Sequence, residues 1–240
     1  MGISIGICET DAKGALCREL KTDVLKVRSE DPTRFGGLAE YDCVVSLDAA
    51  KAAVGDWEAF IKRNRINAET DAVYLDKVKN GDDLAALEKL SEKIPTGWVD
   101  VANADADAKA EAVASSKKED RLTGWDLVSF DEMKDMCAEC PLSWDKGRGC
   151  IGPFGPDNSL LPEIAGRRGC AVTASVPEGV KSGRIYSPAD AARLLEEIPI
   201  LTAALPEEGK VMVRRYSGPL ERLEAVAKIS SSEGCGFYFF

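Results

Sequence analysis

The chain has 240 residues, of which 45% are apolar and 30% are charged, and its formal net charge at pH 7 is −10. These values are typical of a globular protein with one large domain or two small ones. The negative charge disfavours binding to nucleic acid or to an anionic membrane, and no apolar run approaches the roughly 20 residues that span a bilayer. Since no basic and apolar leader segment is apparent, we expect a cytoplasmic protein.

The first half of the chain alternates between short apolar segments and segments with helical periodicity. The predicted strands are residues 3–8, 24–27, 41–47, 72–75 and 98–101. The predicted helices are residues 12–20, 53–61 and 82–94. Alternation of this kind is typical of βαβ units. Residues 1–120 are therefore predicted to form a Rossmann-like α/β domain with a parallel or mixed sheet.

The second half, residues 121–240, is predicted to be a cysteine-rich α/β domain. Ser129 and Glu132 form a capping-box pattern, which predicts a short helix over 130–136 with Cys137 at its end. Glycines and prolines between 147 and 155 predict a loop. The other predicted elements are a helix at 160–165, an apolar stretch at 170–176, a helix from 188, a strand at 210–215, a helix from 219 and a strand at 237–240.

Four of the eight cysteines lie in this loop-rich stretch, and the chain contains no histidine. Without imidazole, nitrogen-ligated metal sites, Ser/His/Asp triads and Cys/His nucleophile pairs are excluded. Thiolates, by contrast, suit iron–sulfur clusters and zinc. The sequence therefore predicts an all-sulfur site with the ligands Cys137, Cys140, Cys150 and Cys170.

The spacing of these cysteines favours a [4Fe–4S] cluster over zinc. The close pair supplies one turn of the cage, and glycine and proline near the later cysteines let backbone amides approach the sulfurs. Structural zinc usually uses two short Cys-x2-Cys or His knuckles, and this chain offers one. Thiols that bind nothing, or that act in redox chemistry, are a third interpretation.

Four cations flank the cysteines in an otherwise acidic chain: Lys146, Arg148, Arg167 and Arg168. Because four thiolates around a cluster leave net negative charge, nearby cations would stabilise the cluster and raise its reduction potential. Solvation of a surface loop is an equal alternative for these residues.

The remaining cysteines divide into two pairs. Cys8 ends the first predicted strand, where α/β sheets place ligands, and Cys235 stands between two glycines, so both are candidates for additional metal ligands. Cys17 and Cys43 have apolar neighbours and are predicted to be core residues. Glu9 is a candidate for metal binding or proton transfer, although a helix N-cap is the favoured interpretation of its segment.

Three segments carry a resemblance to known proteins. They are residues 137–144, 148–155 and 233–240, which read Cys-Ala-Glu-Cys-Pro-Leu-Ser-Trp, Arg-Gly-Cys-Ile-Gly-Pro-Phe-Gly and Glu-Gly-Cys-Gly-Phe-Tyr-Phe-Phe. The chain resembles the uncharacterised cysteine-rich proteins of methanogenic archaea, of the methanogenesis-marker type. The resemblance covers the second half and assigns no residue a role. It implies an anaerobic, archaeal setting and a role near the enzymes of methanogenesis, in cofactor maturation.

Together these patterns predict an iron–sulfur protein that acts in electron transfer or metallocofactor assembly, with protein partners in a larger complex. A zinc-stabilised structural or interaction module and a thiol-based sulfur-handling enzyme are the alternatives. Without histidine, proton transfer depends on carboxylates, lysines and thiols, so the sequence leaves open whether the protein is an enzyme.

Overall fold

The computed structural model describes residues 2–156 and 158–240 of the chain. These residues form two compact units, and the second, Val24–Thr123, interrupts the first, which consists of the segment up to Asp23 and of Gly124–Phe240. The predicted division at residue 120 lies close to Thr123 and Gly124, where the chain returns from the second unit to the first. The segment before Val24, however, packs with the C-terminal half, because its strand pairs with strands from that half.

Strands and helices are numbered in chain order. The strands of the first unit are β1 (Gly2–Ile7), β7 (Ile151–Pro156), β8 (Ile185–Tyr186) and β9 (Phe237–Phe239), and those of the second unit are β2 (Val24–Arg28), β3 (Ala39–Ser46), β4 (Ala72–Tyr74), β5 (Glu92–Asp100) and β6 (Arg121–Thr123). The helices of the first unit are α1 (Arg18–Thr22), α6 (Gly124–Leu127), α7 (Phe130–Glu139), α8 (Leu161–Arg167), α9 (Ala171–Ala174), α10 (Val176–Ser182), α11 (Pro188–Ala204) and α12 (Lys210–Glu233). The helices of the second unit are α2 (Leu47–Val54), α3 (Trp57–Asn64), α4 (Gly81–Glu88) and α5 (Ala106–Ala114). None of the helices in the described ranges is both long enough and apolar enough to cross a bilayer.

The sheet of the first unit has the strand order β7-β1-β9-β8, and its pairings are antiparallel. In β1, Ile3, Ile5 and Ile7 are buried at every second position, as expected of a strand with one fully covered face. Phe237 and Phe239 of β9 join the same core, to which α11 and α12 contribute. Packing in this core holds Ile7 at the end of β1 in place. The candidate site begins with the residues that directly follow it.

The sheet of the second unit has the order β4-β3-β5-β2-β6, and its pairings are also antiparallel. Val45 of β3 and Val73 of β4 pack with Phe60 of α3 and Leu87 of α4 in one hydrophobic cluster. A second cluster lies between β2, β5 and α5. The second unit therefore buries these two small hydrophobic clusters separately.

The predicted Rossmann-like N-terminal half is wrong, because the pairings of the described strands are antiparallel throughout. The first two strands even belong to different sheets. The apolar segment at 3–8 was compatible with a buried strand of a parallel sheet, and β1 is indeed an inner strand, but its neighbours are antiparallel. A buried run reports burial only, and the partners of β1 come from the far end of the chain.

Local signals locate several elements correctly. The capping box at Ser129 is confirmed and begins α7, and a second one at Ser187 begins α11. The predicted strand at 210–215 is wrong, because these residues open α12, whose packing on α11 outweighs the alternation of Val211 and Val213. The predicted helix at 82–94 is divided between α4 and β5.

Candidate functional site

A sharp turn after β1 positions the acidic residue of the site, Glu9. The backbone N–H of Cys8 donates to the carbonyl of Gly236 (2.8 Å), which ties the end of β1 to the segment before β9. The carbonyl of Cys8 accepts from the N–H groups of Asp11 (3.0 Å) and Ala12 (3.1 Å). These bonds form a turn instead of the helix predicted from residue 12, and they hold Glu9 beside the sheet.

The carboxylate of Glu9 is contacted from two sides. The thiol of Cys150 donates to Oε1 at 2.6 Å, and the ammonium group of Lys21 contacts Oε2. Lys21 also lies over the ring of Trp125, 4.6 Å from its centroid. Burial lowers the pKa of Lys21, but the hydrogen bond to Glu9 and the charges of Glu9, Cys17 and Cys150 together outweigh burial and hold that pKa above its ordinary value. The ion pair is therefore present at neutral pH.

Backbone contacts with β1 hold Cys150 next to Glu9. The N–H of Cys150 donates to the carbonyl of Leu142 (3.0 Å), and its own carbonyl accepts from the N–H of Ile7 (3.2 Å). Gly6 permits this approach, because a Cβ at that position would lie 2.9 Å from the carbonyl oxygen of Cys150. Burial, followed by the hydrogen bond to Glu9, raises the pKa of the Cys150 thiol, so its sulfur is protonated at neutral pH.

The charge of Glu9 also acts on the thiols of Cys17 and Cys137, and Cys140 acts on both of these. Cys17 directly precedes α1, and burial followed by the charge of Glu9 raises its pKa to about 11. Cys137 is in the last turn of α7, where partial burial and then Glu9 raise its pKa. Cys140 follows the same helix, and its charge raises the pKa of Cys17 and of Cys137. Charges act in this way over short distances, so we call Cys17, Cys137, Cys140 and Cys150 the thiol site.

The fourth predicted ligand, Cys170, lies elsewhere in the first unit. It is 1% exposed, and its sulfur is 3.9 Å from the carbonyl oxygen of Arg168 and 4.0 Å from that of Glu197 in α11. The Glu197 carboxylate accepts hydrogen bonds from Val172 and Thr173 at the start of α9. Burial and then Glu197 raise the pKa of Cys170. The charged group that acts on Cys170 is therefore Glu197, not Glu9. Of the four predicted ligands, Cys137, Cys140 and Cys150 belong to the thiol site, and its fourth cysteine is Cys17.

The residues of the thiol site were compared with the needs of a metal centre. Within residues 2–156 and 158–240, no three cysteine, aspartate or glutamate side chains are arranged to hold a single metal ion. A [4Fe–4S] cage is wider than one ion and takes one cysteine at each iron, so its ligands stand farther apart. The absence of such a group among the described residues therefore bears on a single zinc ion and leaves the cluster untested.

An orphaned hydroxyl lies on the loop that carries two of these thiols. Ser143 is buried, and its Oγ has no hydrogen-bond partner among the described residues. Its backbone N–H donates to the carbonyl of Cys140 at 3.2 Å, so Ser143 belongs to the turn that follows this thiol. Because buried hydroxyls in proteins are nearly always bonded, the position fits a donor to a sulfur atom that is added at the site.

The four flanking cations divide between two places. Lys146 donates to the carbonyls of Glu139 (3.3 Å) and Cys140 (3.2 Å), and Arg148 donates to that of Pro141. These two residues stabilise the loop of the thiol site. The other two predicted cations, Arg167 and Arg168, instead form ion pairs with Glu208 and Glu207.

A cavity of about 370 Å³ opens beside Glu9. Its lining residues are Ile7, Cys8, Glu9, Thr10, Lys21, Gly183, Ile185 and Tyr238. Burial, followed by the charges of Glu9 and Cys8, raises the pKa of the Tyr238 hydroxyl. A larger cavity of about 560 Å³ beside α1 is lined by Lys13, Arg18 and other polar residues without a thiol. The smaller cavity is lined by a thiol, an ion pair and a phenol, so it is the better candidate for binding or for a reaction.

The structure also places the cysteines outside the thiol site. Cys8 lines the cavity, Cys235 is buried in the hydrophobic core of the first unit, and Cys43 packs against the core of the second unit. Sequence reasoning missed Cys17, which is buried as expected but also couples to Glu9. It weighed Glu9 but favoured a helix cap. No sequence signal identified Lys21.

Comparison of the chain with protein-family models, with curated proteins and with solved structures finds no match. The resemblance to cysteine-rich proteins of methanogenic archaea therefore stays a prediction.

Proposed function

We propose that the first unit binds a [4Fe–4S] cluster at the thiol site and acts in electron transfer or metallocofactor assembly, in the cytoplasm and together with a protein partner. The observations that support this proposal are the hydrogen bond from the Cys150 thiol to Glu9 and the raised pKa values of Cys17 and Cys137, which follow from burial first and then from the charges of Glu9 and Cys140. When bound, the cluster supplies one-electron transfer. The proposed ligand set differs from the sequence prediction in one position, where Cys17 replaces Cys170.

The electrostatics of the site support this assignment. Burial and the negative charge of Glu9 keep the Cys17, Cys137 and Cys150 thiols protonated, and a cationic centre would remove that penalty when the protons leave. Lys21 neutralises Glu9 and keeps the total charge of the site low.

Two neighbouring groups have supporting roles in this proposal. Lys146 holds the loop at Cys140 through backbone carbonyls. Ser143, whose buried hydroxyl has no partner among the described residues, would offer that hydroxyl to a cluster held at the site. Hydrogen bonds to cluster sulfurs stabilise the reduced state, so removal of this hydroxyl in Ser143→Ala is expected to lower the reduction potential.

Anaerobic purification tests the proposal. The wild-type protein is expected to be brown, to absorb at roughly 400 nm as iron–sulfur proteins do, to lose that absorption on reduction with dithionite, and to contain about four iron and four sulfide ions per chain. Cys17→Ala and Cys150→Ala are expected to lose most of the iron. Cys170→Ala and Cys43→Ala are matched controls, because they remove a thiol outside the site and are expected to keep it.

Circular dichroism of each variant separates loss of the cluster from loss of the fold. A colourless wild-type protein with stoichiometric zinc contradicts the cluster and indicates the structural zinc module instead. Iron loss in Cys170→Ala combined with retention in Cys17→Ala contradicts the ligand set and restores the assignment based on sequence spacing.

A further inference from the structure

A cavity of about 410 Å³ in the second unit carries positive charge, although the chain is acidic. It is lined by residues at the end of α3, at the end of β4 and in the segments that follow them. Three of these residues are cations, Arg65, Lys77 and Lys79, and one is acidic, Asp76. The lining therefore has an excess of two positive charges in a chain with a net charge of −10, and we call it the basic cavity.

Another cavity of similar size in the same unit does not have this excess. It measures about 390 Å³ and balances its charges, with three cations and three acidic residues. Its charged lining residues are Arg28, Glu30, Asp31, Arg34, Lys117 and Asp120. The positive charge of the basic cavity is therefore not a general property of the cavities in this unit.

The three cations of the basic cavity have no acidic partner in the protein. Among residues 2–156 and 158–240, no ion pair and no hydrogen bond from the side chain involves Arg65, Lys77 or Lys79. Lys77 lies over the ring of Tyr74, 4.7 Å from its centroid, a contact that holds the ammonium group beside the cavity. The three charges are therefore available to an anion from solution.

The backbone of Arg65 has a conformation that is unusual for any residue with a side chain. Its φ is +58° and its ψ is +41°, in the left-handed region, and among the described residues other than glycine it alone has a positive φ. Glycine is the usual residue at such a helix end, and other residues are strained there. Arginine thus stands where glycine would be more stable, and it lines the cavity.

One buried side chain holds two of the cations next to each other. Asn64 is 1% exposed and directly precedes Arg65, and its Oδ1 accepts a hydrogen bond from the backbone N–H of Lys79 (2.9 Å). Its Nδ2 donates to Asp83 and to the carbonyl of Phe60, so the amide is fixed in orientation. The backbone at Arg65 and at Lys79 is therefore in place before a ligand binds, which lowers the free-energy cost of ordering the site.

The size, charge and lining of the basic cavity indicate the class of its ligand. Its volume of about 410 Å³ falls in the range of small-molecule sites, roughly 300–1,000 Å³. Arginine and lysine bind phosphate oxygens through charged N–H donors, and a phosphate monoester carries a charge of about −1.5 to −2 at pH 7, which matches the excess of two positive charges. Tyr74 and Ile66 add apolar surface to the lining for the organic part of such a molecule.

We propose that the basic cavity binds a small phosphate monoester, with the phosphate at Arg65, Lys77 and Lys79 and the organic part against Tyr74. This function goes beyond the proposed cluster and does not rest on it, because none of the lining residues is a cysteine. It gives the second unit a role of its own, whether or not the first unit holds iron.

Phenyl phosphate is the probe, added to the full-length wild-type protein in a phosphate-free buffer of low ionic strength and followed by isothermal titration calorimetry. We expect saturable binding. Phenyl sulfate, which has a similar shape but a single negative charge, is expected to bind about 1.5- to 5-fold more weakly. Inorganic phosphate, which lacks the ring, is expected to bind about 2- to 10-fold more weakly. These two ligands separate recognition of the ester from recognition of any anion and of free phosphate.

Two substitutions remove cations without disturbing the backbone hydrogen bonds. Arg65→Gly places the preferred residue at the left-handed position, and Lys79→Gln keeps the N–H that donates to Asn64, so both variants are expected to fold. Each is expected to weaken the binding of phenyl phosphate about tenfold, because a charge-assisted hydrogen bond is lost. Lys62→Gln is the matched control, since Lys62 is exposed on α3 and does not line the cavity, and it is expected to keep the wild-type affinity.

The absence of saturable binding in the wild-type protein overturns the proposal. Equal weakening in Lys62→Gln also overturns it, because it would indicate attraction to net charge alone. Unchanged affinity in both Arg65→Gly and Lys79→Gln, with folding checked by circular dichroism, has the same consequence. Phenyl sulfate or inorganic phosphate that binds as tightly as phenyl phosphate contradicts the ester as the ligand.

Discussion

Asp83 in the second unit and Glu9 in the first each face a basic side chain, and the two carboxylates act differently on their surroundings. In the second unit, hydrogen bonds from Arg63 and then from Asn64 hold the pKa of Asp83 below its ordinary value. In the first unit, Glu9 faces Lys21 and raises the pKa of the thiols around it. The hydrogen bonds around Asp83 stabilise its charged form, whereas burial and then Glu9 disfavour the thiolate form of the cysteines near Glu9.

Asn64 shows how fully the network of the second unit is bonded. Its Nδ2 donates to Oδ2 of Asp83 (2.7 Å) and to the carbonyl of Phe60 (3.0 Å). Its Oδ1 accepts from the N–H groups of Lys79 (2.9 Å) and Asn80 (2.8 Å). This one buried side chain therefore connects α3 to the segment before α4, and its role is structural.

The largest expected effect follows from breaking that network. Asn64→Ala leaves Asp83 and two backbone N–H groups with fewer partners in a buried position, and we expect a loss of about 3 kcal/mol in the free energy of unfolding. Urea unfolding followed by circular dichroism measures this loss. Asn67→Ala is the matched control, because Asn67 is exposed and caps one backbone N–H, so its change is expected to stay within about 0.5 kcal/mol. Equal losses in the two variants would contradict a structural role for the network.

The second prediction uses pH to separate the units in metal-free protein. Since the folded-state pKa of Cys235 is raised to about 11, its contribution to stability is complete below the ordinary thiol pKa of about 8.5 and is lost as the pH rises towards 11. Cys17 behaves in the same way. The lowered pKa of Asp83 gives the second unit the opposite dependence: its contribution is complete above about pH 4 and is lost as the pH falls.

Asp190 in the first unit also has a lowered pKa, first through the Ser187 N–H, so both units lose stability in acid. Only the alkaline loss distinguishes them. Urea titrations at neutral and alkaline pH measure it, with tryptophan fluorescence from Trp125 and Trp144 reporting on the first unit and from Trp57 and Trp98 on the second. The first unit is expected to lose more stability between pH 8.5 and about 11, and equal loss in both units would contradict this assignment.

Local chemistry explains which parts of this fold the sequence predicts. The capping box of Ser129 and Glu132 involves four consecutive residues, so its helix and the position of Cys137 were predictable. The partners of β1 were not, because β7 and β9 lie more than a hundred residues away along the chain. The alternation of Ile3, Ile5 and Ile7 indicates a strand with a covered face, but it does not identify the strands that pair with β1.

The candidate site shows the same limit. Cys137 and Cys140 lie at the end of α7 and Cys150 in the loop that follows, and their spacing along the chain was enough to group them. Cys170 follows a glycine as Cys150 does, yet its sulfur lies against α11. Cys17 lies near Glu9 only because a turn replaces the predicted helix before α1, and neighbouring leucines had suggested a core position for it. Long-range packing decides these two cysteines, and single-sequence patterns do not report it.

The smallest predicted effect concerns the carboxylate at the centre of the comparison. Glu9→Gln removes a negative charge beside Cys17, Cys137 and Cys150, so their pKa values are expected to fall, although burial still holds them above the ordinary value. An interaction of about 0.2–1 kcal/mol, usual for a partly exposed charge pair, corresponds to about 1.5- to 5-fold more thiolate. Alkylation of metal-free protein by iodoacetamide at pH 8, read by peptide mapping, measures this increase. Glu19→Gln makes the same change of charge on exposed α1 and is expected to leave the rates unchanged; equal acceleration in both variants would mean that net charge, not the position of Glu9, controls the thiols.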